Sequence, residues 1–178
     1  MSEAQVSPIL ALLALATAAG SLVLVISIGT PGAYNLRTFV GERGRWLAFV
    51  VAAGAMASSL YYSESVGFVP CEFCWYQRIA MYPLAVVLLV AAITRDERAL
   101  RYVLPIAVIG AALSIYHVQL QVFPDQASSC STGVPCHARY VQEFGFVSIP
   151  VMALCGFASV IALHVAMLRA RAIDGHDV

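Results

Sequence analysis

Residues Pro70–Ile93 read PCEFCWYQRIAMYPLAVVLLVAAI. Two thiols, an aromatic pair and an arginine lead directly into an apolar run, and nothing between Ile79 and Ile93 carries a charge. Trp75–Ile93 is close to the roughly 20 residues that an α-helix needs to cross a bilayer. Backbone in hydrocarbon must satisfy its own hydrogen bonds, so such a stretch crosses as a helix. Four further segments repeat the pattern: Ile9–Ile28, Trp46–Tyr62, Tyr102–Leu120 and Ile149–Leu168.

Composition points the same way. Of 178 residues, 61% are hydrophobic and 11% charged, and the mean hydropathy is +0.83, too apolar for a soluble domain of this length. The chain reads as an all-α integral membrane protein. It contains no lysine and its formal net charge is zero, which removes support for a nucleic-acid surface. Ile9–Ile28 competes with a secretory signal, but Met1–Pro8 carries Glu3 and no positive charge, so it reads as a retained helix. Thr30–Arg45, rich in Gly and Arg, reads as a short extramembrane connection. Pro83 is expected to bend the third span without ending it.

The arginines set the expected orientation. Arg37, Arg43 and Arg45 precede the second span, Arg95, Arg98 and Arg101 separate the third from the fourth, and Arg169 and Arg171 follow the fifth. By the positive-inside rule these eight face the cytoplasm. Arg78 and Arg139 fall on the other side, and so do four of the five cysteines, in the loops Ser63–Cys74 and Gln121–Ser148. Disulfides persist on that side of a membrane.

Cys71 and Cys74 are spaced C-x-x-C, which lets two sulfurs close or open a small ring and commonly lowers one thiol pKa. With a helix beginning at about Cys74, Arg78 lies one turn on, on the same face. A helix N-terminus and a guanidinium would then both stabilise a Cys74 thiolate. Cys130 and Cys136, with STGVP between them, are placed to be joined by a turn. Two bland readings compete: a four-thiolate zinc site, disfavoured by the loose C-x5-C spacing and an oxidising compartment, and two structural disulfides. The second explains the loops but not Arg78 or the run Phe73, Trp75, Tyr76.

A partner thiolate must arrive from water, which favours the polar loop around Ser128, Ser129, Cys130 and Ser131 as its target. Cys74 is the cysteine nearest the apolar run and the natural donor to a lipid-soluble acceptor. His117, near the outer end of the fourth span with Gln119 and Gln121 close by, reads either as a donor or proton shuttle to such an acceptor or as an interfacial histidine. Trp75 and Tyr76 read either as stacking platforms or as part of an aromatic belt. Tyr140, Val141 and Phe144 have helical spacing, so Ala138–Phe146 is expected to lie flat as a helix on the outer leaflet. Cys155, inside the last span, reads as a packing residue.

PCEFCWYQR followed by IAMYP, then SIYHVQLQ, a cysteine pair and EFGFVSIP, resembles the DsbB family of disulfide-forming membrane proteins, in particular its shorter BdbC-like branch, over about Trp46–Leu168. The resemblance implies a four-helix transmembrane bundle, to which Ile9–Ile28 adds an N-terminal transmembrane helix. The organisation is then 1–45 as N-terminal helix and cytoplasmic linker, 46–168 as the membrane domain, and 169–178 as a cytoplasmic tail.

It also implies a reaction at a bacterial cell membrane. A reduced thioredoxin-like extracytoplasmic partner, DsbA- or BdbD-like, is reoxidised, and its electrons pass to menaquinone or ubiquinone. By matching positions, Cys130 carries the mixed disulfide with the partner, Cys136 then pairs with Cys71 across the loops, and Cys71 and Cys74 reduce the quinone. Arg78, with Cys74, His117 and Trp75, is the expected quinone contact, and no metal is expected. A non-enzymatic membrane subunit with two structural disulfides is the alternative.

Overall fold

The computed structural model describes residues 3–30, 32–96, 98–130 and 133–174. Five helices account for most of them: α1 (Glu3–Ser27), α2 (Tyr34–Leu60), α3 (Glu72–Thr94), α4 (Leu100–Val122) and α5 (Ile149–Asp174). Each is long and apolar enough to cross a membrane. The chain is a multi-pass helical membrane protein. α2 to α5 form a ring in which each packs on the next and α5 closes back on α2, while α1 lies outside, chiefly against α5.

Small residues let the ring close. Ala48, Ala52, Ala80, Ala85 and Ala107 are buried among Leu84, Leu88, Val103, Phe157 and Val160. Without a hydrophobic effect between helices in lipid, close backbone approach and dispersion hold such a bundle. Gly110 shows the tolerance: a methyl there would overlap the ring of Phe157, which has no exposed surface.

The spans alternate in direction, as their end contacts show. At one end Ser7 at the start of α1 meets Tyr62 after α2, and the start of α3 meets the end of α4 around Cys71 and Leu120. At the other, Ile28, Val40, Ala166, Met167 and Ala170 bring together the end of α1, the start of α2 and the end of α5.

Two expectations are corrected. Thr30–Arg45 is not a loop for most of its length, because α2 begins at Tyr34. Its arginines and Glu42 are good helix formers, and Gly44 lies where a methyl would fall 2.7 Å from Met167, so glycine here serves helix packing. Ala138–Phe146 is not a helix either. Glu143 and Val147 form a bridge around a tight turn in which Phe144 (φ 52°) and Gly145 (φ 80°) both have positive φ. That is the geometry of a type I′ turn, which glycine makes accessible at its second centre. Pro83 sits inside α3 and does not end it. A π-helical turn, Tyr61–Ser65, finishes the second span.

Candidate active site

α3 begins one turn earlier than its apolar run. Cys71 is the N-cap residue, with extended backbone (φ −72°, ψ 174°), and its Sγ accepts the Cys74 amide at 3.3 Å. The orphan amides of a helix N-terminus therefore serve Cys71, whereas the sequence assigned them to Cys74. The two sulfurs lie 2.8 Å apart as free thiols.

Opposite them, Cys130 and Cys136 are joined as a disulfide. Cys71, Leu120 and Cys136 are buried in one cluster, with Cys74, Cys130, Phe73 and Val134 packed around it. Both cysteine pairs thus share one cluster at the bundle's end, and the void beside Cys71, Cys74 and His117 is only about 10 Å³, the lower bound for a single water. Side chains from α4 and its neighbours hold the loop there. Arg139 Nη2 donates to the Gln121 carbonyl (2.7 Å), Gln121 Nε2 to the Ala138 carbonyl (3.3 Å), and Ser148 Oγ to Gln121 Oε1 (2.7 Å). Of the polar loop residues around Cys130, Ser131 lies outside the described residues.

His117 is fully buried among these groups. Its Nε2 is 3.5 Å from Cys71 Sγ and 3.1 Å from the Cys136 carbonyl, and its Nδ1 is 3.4 Å from Gln77 Nε2. These contacts tie the ring to both cysteine pairs and to Gln77 of α3. The hydrogen bond from Cys74, with His117 and the Cys74 amide adding to it, outweighs burial and holds the Cys71 thiol down to about 4. Both sulfurs and a His117 nitrogen also lie within 4.8 Å of one another, three donors of the kind a soft metal ion takes.

On its other side Cys74 borders a second, much larger cavity of about 510 Å³ between α1, α2, α3 and α5. Its walls are mostly apolar, with Cys74, Gln77, Arg78, Ser59 and Tyr82 gathered toward one end. This is the size and chemistry of a pocket for an apolar ligand with a few polar anchors.

Arg78 borders that cavity, but its hydrogen bonds go to Ser59: Nε to the hydroxyl at 2.9 Å and Nη2 to the carbonyl at 3.0 Å. Tyr82 also donates to the Ser59 hydroxyl, at 3.3 Å. The guanidinium carbon lies 5.3 Å from the centroid of the Trp75 ring. This cation is thus partnered by a carbonyl, a hydroxyl and a π-face. Glu72 instead accepts the Tyr76 hydroxyl, and Glu64 the Ser63 hydroxyl. Trp75 is 53% exposed and belongs to the surface beside Arg78, not to the cavity wall.

Sequence reading missed Ser59, Gln77 and Tyr62. Ser59 carried a faint signal, a hydroxyl at the end of an apolar span whose neighbouring span opens with an arginine. Tyr62 stacks on Phe68, and Phe68 on Tyr140, forming an aromatic row over the cavity mouth. Cys155, half-buried in α5, is remote in sequence and in the fold from the paired cysteines.

A protein-family model described as "Disulfide bond formation protein DsbB" matches residues 42–169. The chain is 48% identical over 118 residues to Disulfide bond formation protein C of Bacillus subtilis, covering 65% of this chain and 86% of that one. It is 45% identical over 129 residues to a Probable disulfide formation protein of Oceanobacillus iheyensis, covering 69% and 87%. No solved structure matches. The α1 helix precedes the matched region.

Proposed function

Because the chain belongs to the disulfide bond formation protein DsbB family of bacterial membrane proteins, we propose that it reoxidises an extracytoplasmic thioredoxin-like partner and passes the electrons to a membrane quinone, menaquinone or ubiquinone. The observation that carries this reading is the position of Cys74. One side of it faces the cluster holding Cys71 and the Cys130–Cys136 pair, and the other faces an apolar cavity open to a lipid-soluble molecule.

The exchange balances as follows. A partner dithiol attacks the Cys130–Cys136 disulfide through Cys130 and leaves as a disulfide, and the two loop thiols are then reduced. Cys136 attacks Cys71 of a closed Cys71–Cys74 pair, and Cys130 attacks Cys136 in turn, which restores Cys130–Cys136 and leaves Cys71 and Cys74 as thiols. Cys71 departs in that last step, and a thiol held near 4 is a good leaving group. His117 Nε2, placed between Cys71 Sγ and the Cys136 carbonyl, steadies the departing charge.

A quinone in the 510 Å³ cavity supplies a two-electron, two-proton acceptor, so that Cys71 and Cys74 close to a disulfide and quinol is formed. Cys74 and Arg78 are the residues that would hold its ring. With Nε and Nη2 committed to Ser59, Arg78 is fixed in orientation and can present Nη1 to a developing negative oxygen.

The test is to mix purified, fully reduced protein with a soluble quinone and count free thiols with time. Rapid, quinone-dependent loss of four thiols supports the reading. Thiols that close only with oxygen, at a rate independent of quinone, favour a non-enzymatic subunit with structural disulfides.

A further inference from the structure

α1 lies outside the region that the family model matches, yet it forms one wall of the cavity beside Cys74. It packs chiefly on α5 and reaches the second span only near its two ends. At the outer end Tyr62 donates to Ser7 at 3.1 Å, a contact in which Ser7 is 1% exposed. At the inner end Ile28 and Val40 are fully buried in one cluster with Ala166, Met167 and Ala170 of α5, with Leu24, Val25 and Leu36 against them. Between these two seams the helices are held apart by the cavity, with Leu10, Leu13 and Thr17 on the α1 side and Val50 and Gly54 on the α2 side.

The slot is graded in polarity. Its polar groups, Cys74, Arg78 and Ser59, lie toward the outer end, and the stretch between Leu13 and Val50 is apolar; Thr17 turns its hydroxyl back onto the Ala14 carbonyl at 2.9 Å. Val50 is nine residues before Ser59 on α2, roughly 13 Å along a helix axis. Space there is real, because a methyl added at Gly54 would meet nothing within 4 Å.

We propose that α1 is the lipid-side wall of the acceptor site, that the isoprenoid tail of the acceptor lies in the slot between α1 and α2 while its ring lies at Cys74 and Arg78, and that Leu13 and Gly54 determine which tails fit. This rests on the quinone reading above. The packing of α1 on α5, with the Ser7–Tyr62 hydrogen bond at one end and the apolar cluster at the other, holds the helix in place while a gap stays open opposite α2, and the tail fills what remains. A tail-less acceptor needs only the polar end.

The experiment compares one quinone ring with and without a long isoprenoid tail, in proteoliposomes of the full chain, for the unaltered protein, Leu13→Trp and Gly54→Phe. Both substitutions fill the slot, from opposite walls, and neither touches a thiol or Arg78. The expected result is a KM for the tailed quinone raised about tenfold or more, equivalent to about 1.4 kcal/mol, with the tail-less quinone changed less than about twofold. Variants that match the unaltered protein on the tailed quinone, or that lose both acceptors equally, overturn the inference alone. If the unaltered protein reduces neither quinone, the quinone reading fails and takes the inference with it. A measurement without substitutions stands beside this: a tailed quinone bearing a photoreactive group on its tail should label the α1 peptide, and labelling confined to α3 and α4 overturns the assignment.

Discussion

The imidazole of His117 lies 3.5 Å from the sulfur of Cys71, inside the cluster that also buries Cys136. A histidine from α4 thus reaches the N-cap of α3, and the same Nε2 lies 3.1 Å from the Cys136 carbonyl, so the ring bridges the two segments that carry the paired cysteines.

The first prediction follows from that contact. In reduced protein the ultraviolet thiolate absorbance of Cys71 should persist well below the ordinary thiol value of 9.0 and disappear only as pH falls toward about 4. The folded value is depressed, so the stability it contributes is complete above 9.0 and is lost as pH falls through about 4. The reduced form should accordingly gain thermal stability with rising pH across that window, relative to protein whose Cys71–Cys74 pair is closed. His117→Ala removes one hydrogen bond to the charged sulfur, of about 1.5 to 3 kcal/mol, and should raise the absorbance midpoint by about one to two pH units. An unchanged midpoint in His117→Ala would assign the whole effect to Cys74 and the helix terminus.

Cys130 and Cys136 are joined, but only Cys136 is buried against Cys71. Cys136→Ser should therefore trap a mixed disulfide between Cys130 and a thioredoxin-like partner, and Cys130→Ser should trap none. Non-reducing gels read this directly. An adduct in Cys130→Ser and none in Cys136→Ser reverses the two roles.

A third prediction concerns the fold. At Gly110 the α4 backbone packs against the fully buried Phe157 ring of α5, leaving no room for a methyl. Gly110→Ala should destabilise the bundle by about 1 to 3 kcal/mol, the usual range for overpacking. Gly54→Ala, with open space around it, should not. Thermal unfolding of the two variants in detergent compares them, and equal melting would mean that α4 and α5 separate easily.

The spans were legible in the sequence because the bilayer leaves a long apolar run few alternatives, and each of the five runs lies within a helix or passes its end by no more than two residues. The paired cysteines were legible by spacing and by loop. What failed was anything decided by a contact between distant segments or by a shift of two residues. A helix start at Glu72 in place of Cys74 moves the capping position, and with it the stabilised thiolate, from Cys74 to Cys71. Periodicity in Tyr140, Val141 and Phe144 gave no warning of the Phe144–Gly145 turn, because two positive φ values are a local backbone choice. The partner of Arg78 is a serine nineteen residues earlier, brought there only by the packing of α2 on α3.

That pairing gives the last prediction. If Arg78 serves the electron acceptor, Arg78→Met should spare the trapped partner adduct and the Cys130–Cys136 exchange, since those steps occur in the loop cluster around Cys136 and His117. Quinone reduction should fall. Loss of one charge-assisted contact of about 1.5 to 3 kcal/mol slows a step about 10- to 150-fold. Arg78→Lys should recover only part, because an ammonium keeps the charge but not the planar fork that engages the Ser59 hydroxyl and carbonyl together. Ser59→Ala removes the hydroxyl acceptor but leaves the carbonyl, so Arg78 stays charged and loses one of its two anchors. Its effect should be smaller than that of Arg78→Met, within about tenfold, and should also be confined to the quinone step. Turnover against quinone concentration, with single-turnover oxidation of the partner run in parallel, separates the two steps. If both fall together in Arg78→Met, the guanidinium is holding α2 against α3 through Ser59, and its place in the acceptor site is withdrawn.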